Sequence, residues 1–181
     1  MNFEGFAPLR LTEEEYDILK TLRCLADRSG FEYGIAAQLR ERTTGEILWK
    51  SEAFTSRDRN RVRIPPSVLD RESVSLYHAH TNNMIFSVRD LKLLLRPNVD
   101  KISVIAVSSN TAVVLTGSGY RPDEEEFLQV TGEIQRAVPY ELANDPDFYE
   151  WTQEERVSRL FHEQAFQIAR YFKWTLEGGA I

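Results

Sequence analysis

A chain of 181 residues with 42% hydrophobic and 28% charged side chains has the composition of a folded globular domain, not of a disordered segment. One cysteine excludes an intrachain disulfide and any thiolate-rich zinc or iron–sulfur site, and three histidines exclude any metal centre that needs four or more. A formal charge of −6 argues against a nucleic-acid footprint spread over the whole surface. A chain this long buries roughly 70% of its unfolded surface, so a hydrophobic core alone can hold it. The start, Met1-Asn2-Phe3-Glu4-Gly5, lacks a basic and then apolar leader, and the longest apolar run, 102–107, is interrupted by Ser103. That run is far short of the ~20 residues that span a bilayer, so a soluble, cytoplasmic protein with no membrane partner is expected.

In chain order, residues 12–26 predict a helix. Thr12 and Glu15 form a capping box, Ile18, Leu19, Leu22, Leu25 and Ala26 make the apolar stripe, and Ser29-Gly30 is the stop. Strands are expected at 31–40 and 46–54 as a hairpin around Thr43-Thr44-Gly45, followed by a basic stretch at 57–64 that Pro65-Pro66 ends. A strand at 73–80 comes next, then a short helix from Ser87 that closes before Arg96-Pro97, and strands at 102–108 and 111–116. From Pro122 the pattern is helical, with acids in the first turn, and Pro139 and Asn144-Asp145-Pro146-Asp147 interrupt it. A last helix starts at Thr152, capped with Glu155, and its stripe runs through Val157, Leu160, Phe161, Gln164, Ala165, Ile168, Phe172 and Leu176. The order α-β-β-β-α-β-β-α-α reads as an α/β domain over 1–120 with a C-terminal helical extension over 121–181.

Chemistry concentrates between His78 and Asp90. His78 and His80 stand two apart on a strand and so project from one face, and Asp90 follows in the first turn of the next helix. Two neutral imidazoles and a carboxylate make a catalytic zinc set that leaves the fourth tetrahedral position for water. The alternative for Ser87 and Asp90 is plain helix capping, because Ser-x-x-Asp starts a helix whether or not a metal is present.

The run His78-Ala79-His80-Thr81-Asn82-Asn83-Met84-Ile85-Phe86-Ser87-Val88-Arg89-Asp90 resembles the JAMM motif of the JAB/MPN metallopeptidases, closest to their bacterial and phage branch. The order of elements over 12–116 is similar as well. The resemblance implies an α/β, cytidine-deaminase-like mixed sheet flanked by helices, with Zn2+ held by His78, His80 and Asp90. It implies Ser87 as a hydrogen-bond donor to the developing oxyanion. It also implies an early-strand glutamate that takes a proton from the attacking water and gives it to the leaving amine. Glu32, in Phe31-Glu32-Tyr33-Gly34-Ile35, is the candidate, with Glu41, Glu46 and Glu52 as substitutes. Two positions depart from the family pattern: Thr81 stands where Pro is usual, and Glu32 lies two residues closer to its following glycine. The implied activity is hydrolysis of a peptide or isopeptide bond in a protein or peptide substrate, ubiquitin-like conjugates included. A non-catalytic JAB/MPN-like module working inside an assembly is the alternative.

Weaker signals complete the reading. Arg57, Arg59, Arg61 and Arg63 alternate along one edge and suit either a solvated strand face or an acidic partner near the substrate groove. Cys24 is expected in the core, His162 in a structural or surface role, and Leu176-Glu177-Gly178-Gly179-Ala180-Ile181 as a frayed end. Phe161, Phe166, Tyr171, Phe172 and Trp174 can pack on the domain or on another subunit, so the C-terminal helices are the expected route to a homo-oligomer. A non-haem iron(II) site also takes two histidines and a carboxylate, but His162, the only distant histidine, lies in a predicted helix.

Overall fold

The first helix begins as its capping box dictates. Thr12 Oγ1 accepts from the Glu15 N–H at 3.3 Å, and the Glu15 carboxylate accepts from the Thr12 N–H at 3.2 Å. Helix α1 (Glu13–Ser29) ends where Gly30 enters the left-handed region at φ 70°, a conformation that any side chain would strain. The computed structural model describes residues 5–40, 46–59 and 61–181.

Among the described residues the chain is mixed α/β, with seven strands in one sheet. The strands are β1 (Ala7–Pro8), β2 (Tyr33–Leu39), β3 (Ile47–Lys50), β4 (Val74–His80), β5 (Val99–Ala106), β6 (Thr111–Thr116) and β7 (Thr175–Ala180). Their spatial order is β1-β7-β6-β5-β4-β2-β3. The helices after α1 are α2 (Pro66–Leu69), α3 (Val88–Leu91) running into a 3-10 turn (Lys92–Leu95), α4 (Glu124–Ala143) and α5 (Gln153–Tyr171). None is long and apolar enough to cross a membrane.

Side-chain alternation divides the sheet into two apolar faces. On one, α1 packs Ile18, Leu19, Leu22 and Ala26 against Ile35, Ala37, Tyr77, Ala79 and Ile105. Glu15 is buried there too, accepting from the Tyr77 hydroxyl at 2.7 Å and from Lys101 Nζ. On the other face Leu91 of α3, Phe127 and Val130 of α4, and Ala165 and Ile168 of α5 meet Leu76, Val104 and Val113. Strands β4 and β5 run parallel, joined by a crossover through α3, so the end of β4 and the start of α3 adjoin.

Several expectations need correction. The expected break at Pro139 is absent: α4 continues to Ala143, because buried Phe127, Val130 and Val138 hold both halves against the core while Pro139 faces solvent. The last helix ends at Tyr171, before Leu176, and its Val157 is exposed. The tail expected to fray is β7, paired antiparallel to β6 from Thr116↔Thr175 to Thr111↔Ala180 and parallel to β1. Residues 121–181 thus supply two helices and then a strand of the same sheet. Strand β5 begins at Val99, earlier than its apolar run, since Asp100 and Lys101 find partners in Ser73 and Glu15. Cys24 is exposed, on the side of α1 away from the sheet. The hairpin pairing of β2 with β3 is present, while its expected turn at Thr43-Thr44-Gly45 lies outside the described residues.

Candidate metal centre

Strand β4 is buried along its whole length, the signature of a central strand covered on both faces. Val74 and Leu76 belong to the α4–α5 face, and the period of two carries His78 and His80 onto that same face at the strand's carboxyl end. Seven residues after His80, Ser87 caps α3. Its hydroxyl accepts from the Asp90 N–H at 3.4 Å, and Asp90 Oδ2 accepts from both the Ser87 N–H and the Ser87 hydroxyl at 2.7 Å. The cap and the cluster are therefore one construction: the box that starts α3 also aims Asp90 at the histidines.

His78 Nε2 and His80 Nε2 are 2.9 Å apart, and Asp90 Oδ1 and Oδ2 lie 3.4 Å and 3.9 Å from them. One ligand atom from each of the three residues fits within 4.8 Å of the others. His80 Nδ1 stands 2.9 Å from the Met84 carbonyl, which can only accept, so Nδ1 carries a proton and Nε2 is the ring nitrogen turned toward His78 and Asp90. Burial pushes the His78 imidazole down to about 4, with His80 adding to the effect and Asp90 opposing it, so His78 is neutral at physiological pH. For Asp90, burial favours the acid, but the two imidazoles and the Ser87 donors outweigh it and hold the carboxyl below its ordinary range. Two imidazole nitrogens and a carboxylate oxygen thus lie within 4.8 Å of one another. That donor set fits a divalent cation with a taste for nitrogen and oxygen.

Glu32 is 5% exposed, and the β2–β4 register explains where it goes. Gly34 pairs with His78 and Tyr33 with Ala79 at the end of the ladder, and Glu32, the residue before Tyr33, follows the strand's alternation onto the Gly34 side. Directly opposed residues of an antiparallel pair share a face, which puts Glu32 on the side of the ligand cluster. Its carboxyl is pushed up to about 8, chiefly by burial and then by the charges of Asp90 and Asp58. Its backbone is fixed by the 55–59 segment: the Glu32 N–H donates to the Asp58 carbonyl at 3.1 Å, and Thr55 Oγ1 donates to the Glu32 carbonyl at 2.7 Å. Among the substitutes, Glu46 is exposed and paired with Arg40 at 3.2 Å, Glu52 is exposed, and Glu41 lies outside the described residues. Ser87 is in the cluster with its hydroxyl proton donated to Asp90.

Sequence reasoning missed the braces around these groups. Asn83 holds the loop between His80 and Ser87 by donating to Glu154 at 2.6 Å and accepting from Ser108 at 2.9 Å, which ties the Met84 carbonyl's neighbourhood to α5. A groove of about 410 Å³ opens there, lined by Asn82 and Met84 from the loop and by Gln153, Val157 and Ser158 from α5. The dipeptide Asn82-Asn83 was the available signal, since Asn82 Oδ1 accepts from the Met84 N–H in an Asx turn. Gly34, opposite His78, is overlaid by the Phe54 ring, and a Cβ there would fall inside that ring's van der Waals envelope. Gly34→Ala is therefore expected to cost about 1–3 kcal/mol of stability by displacing Phe54, read as a lower midpoint in urea unfolding. An unchanged midpoint would show that Phe54 moves aside freely.

Comparison with known protein families, with characterised proteins and with solved structures finds no match in any of the three. The centre has to be read from its own atoms.

Proposed function

We propose that the protein is a zinc-dependent hydrolase of the JAB/MPN type that cleaves a peptide or isopeptide bond. The observation that carries the reading is the convergence of His78 Nε2, His80 Nε2 and the Asp90 carboxylate, with buried Glu32 on the same sheet face. The element order also agrees: a helix, a strand with a glutamate at its entry, the His-x-His strand, a short capped helix and further strands.

His78, His80 and Asp90 would hold the zinc, and three protein ligands leave it room for water. Bound there, zinc supplies Lewis acidity toward the scissile carbonyl and a water acidic enough to ionise near neutral pH. Glu32 takes a proton from the attacking water and returns it to the leaving amine, so that amide and water give acid and amine with no other reactant. Ser87 keeps Asp90 in its ligating position. Because the Ser87 N–H also binds Asp90 Oδ2, the hydroxyl can turn to a developing oxyanion without undoing the helix start. The substrate in this reading is a protein or peptide, ubiquitin-like conjugates among the candidates, encountered in the cytoplasm.

Elemental analysis of the purified protein should find about one zinc per chain. Cleavage of a peptide library followed by mass spectrometry should stop on chelation and return with zinc. A protein that carries no metal and takes none up would sink the proposal.

A further inference from the structure

The segment that fixes the Glu32 backbone is basic and exposed. The 55–59 segment is stitched to both sides of the centre: to Glu32 through Asp58 and Thr55, and to the residue after His80 by Thr81 Oγ1, which donates to the Arg59 carbonyl at 3.1 Å. Ser56 Oγ donates to the Arg61 carbonyl and closes the segment into a loop, and Arg57 turns it at a left-handed φ of 56°. Arg57, Arg59 and Arg61 are exposed, and among the described residues none of them forms an ion pair. Three unneutralised guanidinium groups on a chain of net charge −6 make a local field opposite in sign to that of the whole.

Resting on the peptidase reading above, we infer that Arg57, Arg59 and Arg61 form a selectivity rim that receives an Asp/Glu-rich stretch of the substrate beside the scissile bond. Guanidinium forks suit carboxylates, and a rim pinned to the strands that carry Glu32 and His80 holds such a stretch in register with the chemistry. A nucleic acid fits less well. No aromatic side chain interleaves the arginines to stack a base, Asp58 sits among them, and the net charge repels a long polyanion.

The test uses the full chain and a fluorescein-labelled hexaglutamate peptide, with a Gly-Ser hexamer and a single-stranded oligonucleotide for comparison, read by fluorescence anisotropy. Hexaglutamate should bind best. The triple variant R57E/R59E/R61E should weaken it by roughly tenfold or more, R57K/R59K/R61K, which keeps the charge but loses the fork, by about three- to fivefold, and the remote R136E should stay within about twofold of wild type. The Lys variant keeps the answer readable if the Glu variant folds poorly. Hexaglutamate binding that ignores the Glu substitutions overturns the rim, as does an oligonucleotide that binds more tightly through the same arginines. Zinc content, measured in parallel, separates the two proposals. A protein that binds hexaglutamate through these arginines but takes up no zinc keeps the acidic-peptide rim and loses the peptidase. One that binds zinc and cleaves with no preference for acidic peptides keeps the peptidase and loses the rim.

Discussion

Glu32→Gln should lower peptide turnover by roughly a hundred- to ten-thousandfold while zinc content stays at the wild-type level, because the change removes a proton carrier and leaves the ligands in place. Glutamine fills the same volume, so the fold should survive. A second readout comes from pH. Unfolded, Glu32 titrates at its ordinary 4.5; folded and metal-free, it is pushed up to about 8 by burial and by Asp90 and Asp58. Between those values the native state holds a proton that the unfolded state has lost, so stability falls as pH rises. His78 and His162, both pushed down to about 4 from 6.5, act with the opposite sign and only below 6.5. The clean window is therefore pH 6.5 to 8. Across it, chelator-treated wild-type protein should lose about 1.5–2 kcal/mol in urea unfolding, and Glu32→Gln should remove that loss. A wild-type profile that stays flat across the window would show that Glu32 is not held neutral beside the cluster.

Asp90 is the second test, because it does two jobs that two substitutions can separate. Asp90→Ala removes a metal ligand and the acceptor for both Ser87 donors, so it should lose zinc and cost about 1–2 kcal/mol for the broken helix cap. Asp90→Asn keeps an oxygen for Ser87 and loses the charge, so the fold should hold while zinc affinity falls by more than about a hundredfold. Isothermal titration with zinc, paired with urea unfolding of the metal-free forms, reads the two effects apart. If Asp90→Asn binds zinc as wild type does, Asp90 is a capping residue alone.

The ligand cluster was legible because its parts obey local rules. A strand sends i and i+2 to one face, and Ser-x-x-Asp fixes a carboxylate at a helix start, so His78, His80 and Asp90 needed only a crossover to meet. Glu32 was nameable through the resemblance, but its reason for facing the cluster, the Gly34↔His78 register, exists only once β2 has paired with β4. The ends of the fold were not legible. Thr175–Ala180 contains two glycines and little that favours a strand, and it becomes one because β6 offers a ladder. Ala7–Pro8 is too short to read, yet its proline suits the sheet edge it occupies. Pro139 misled for the same reason: burial of the residues around it outweighs a local preference.

That last strand has a bearing on how the chain behaves as a polymer. Ala112, Val113, Val114 and Leu115 of β6 are apolar and β-favouring, and β7 occupies the hydrogen-bonding edge they would otherwise present. A chain shortened before Thr175 would leave that edge open, a template on which other copies could stack. The glycine-rich ending, which contributes little burial of its own, thus acts as a guard against aggregation, with Pro8 beyond it unable to donate to any further strand.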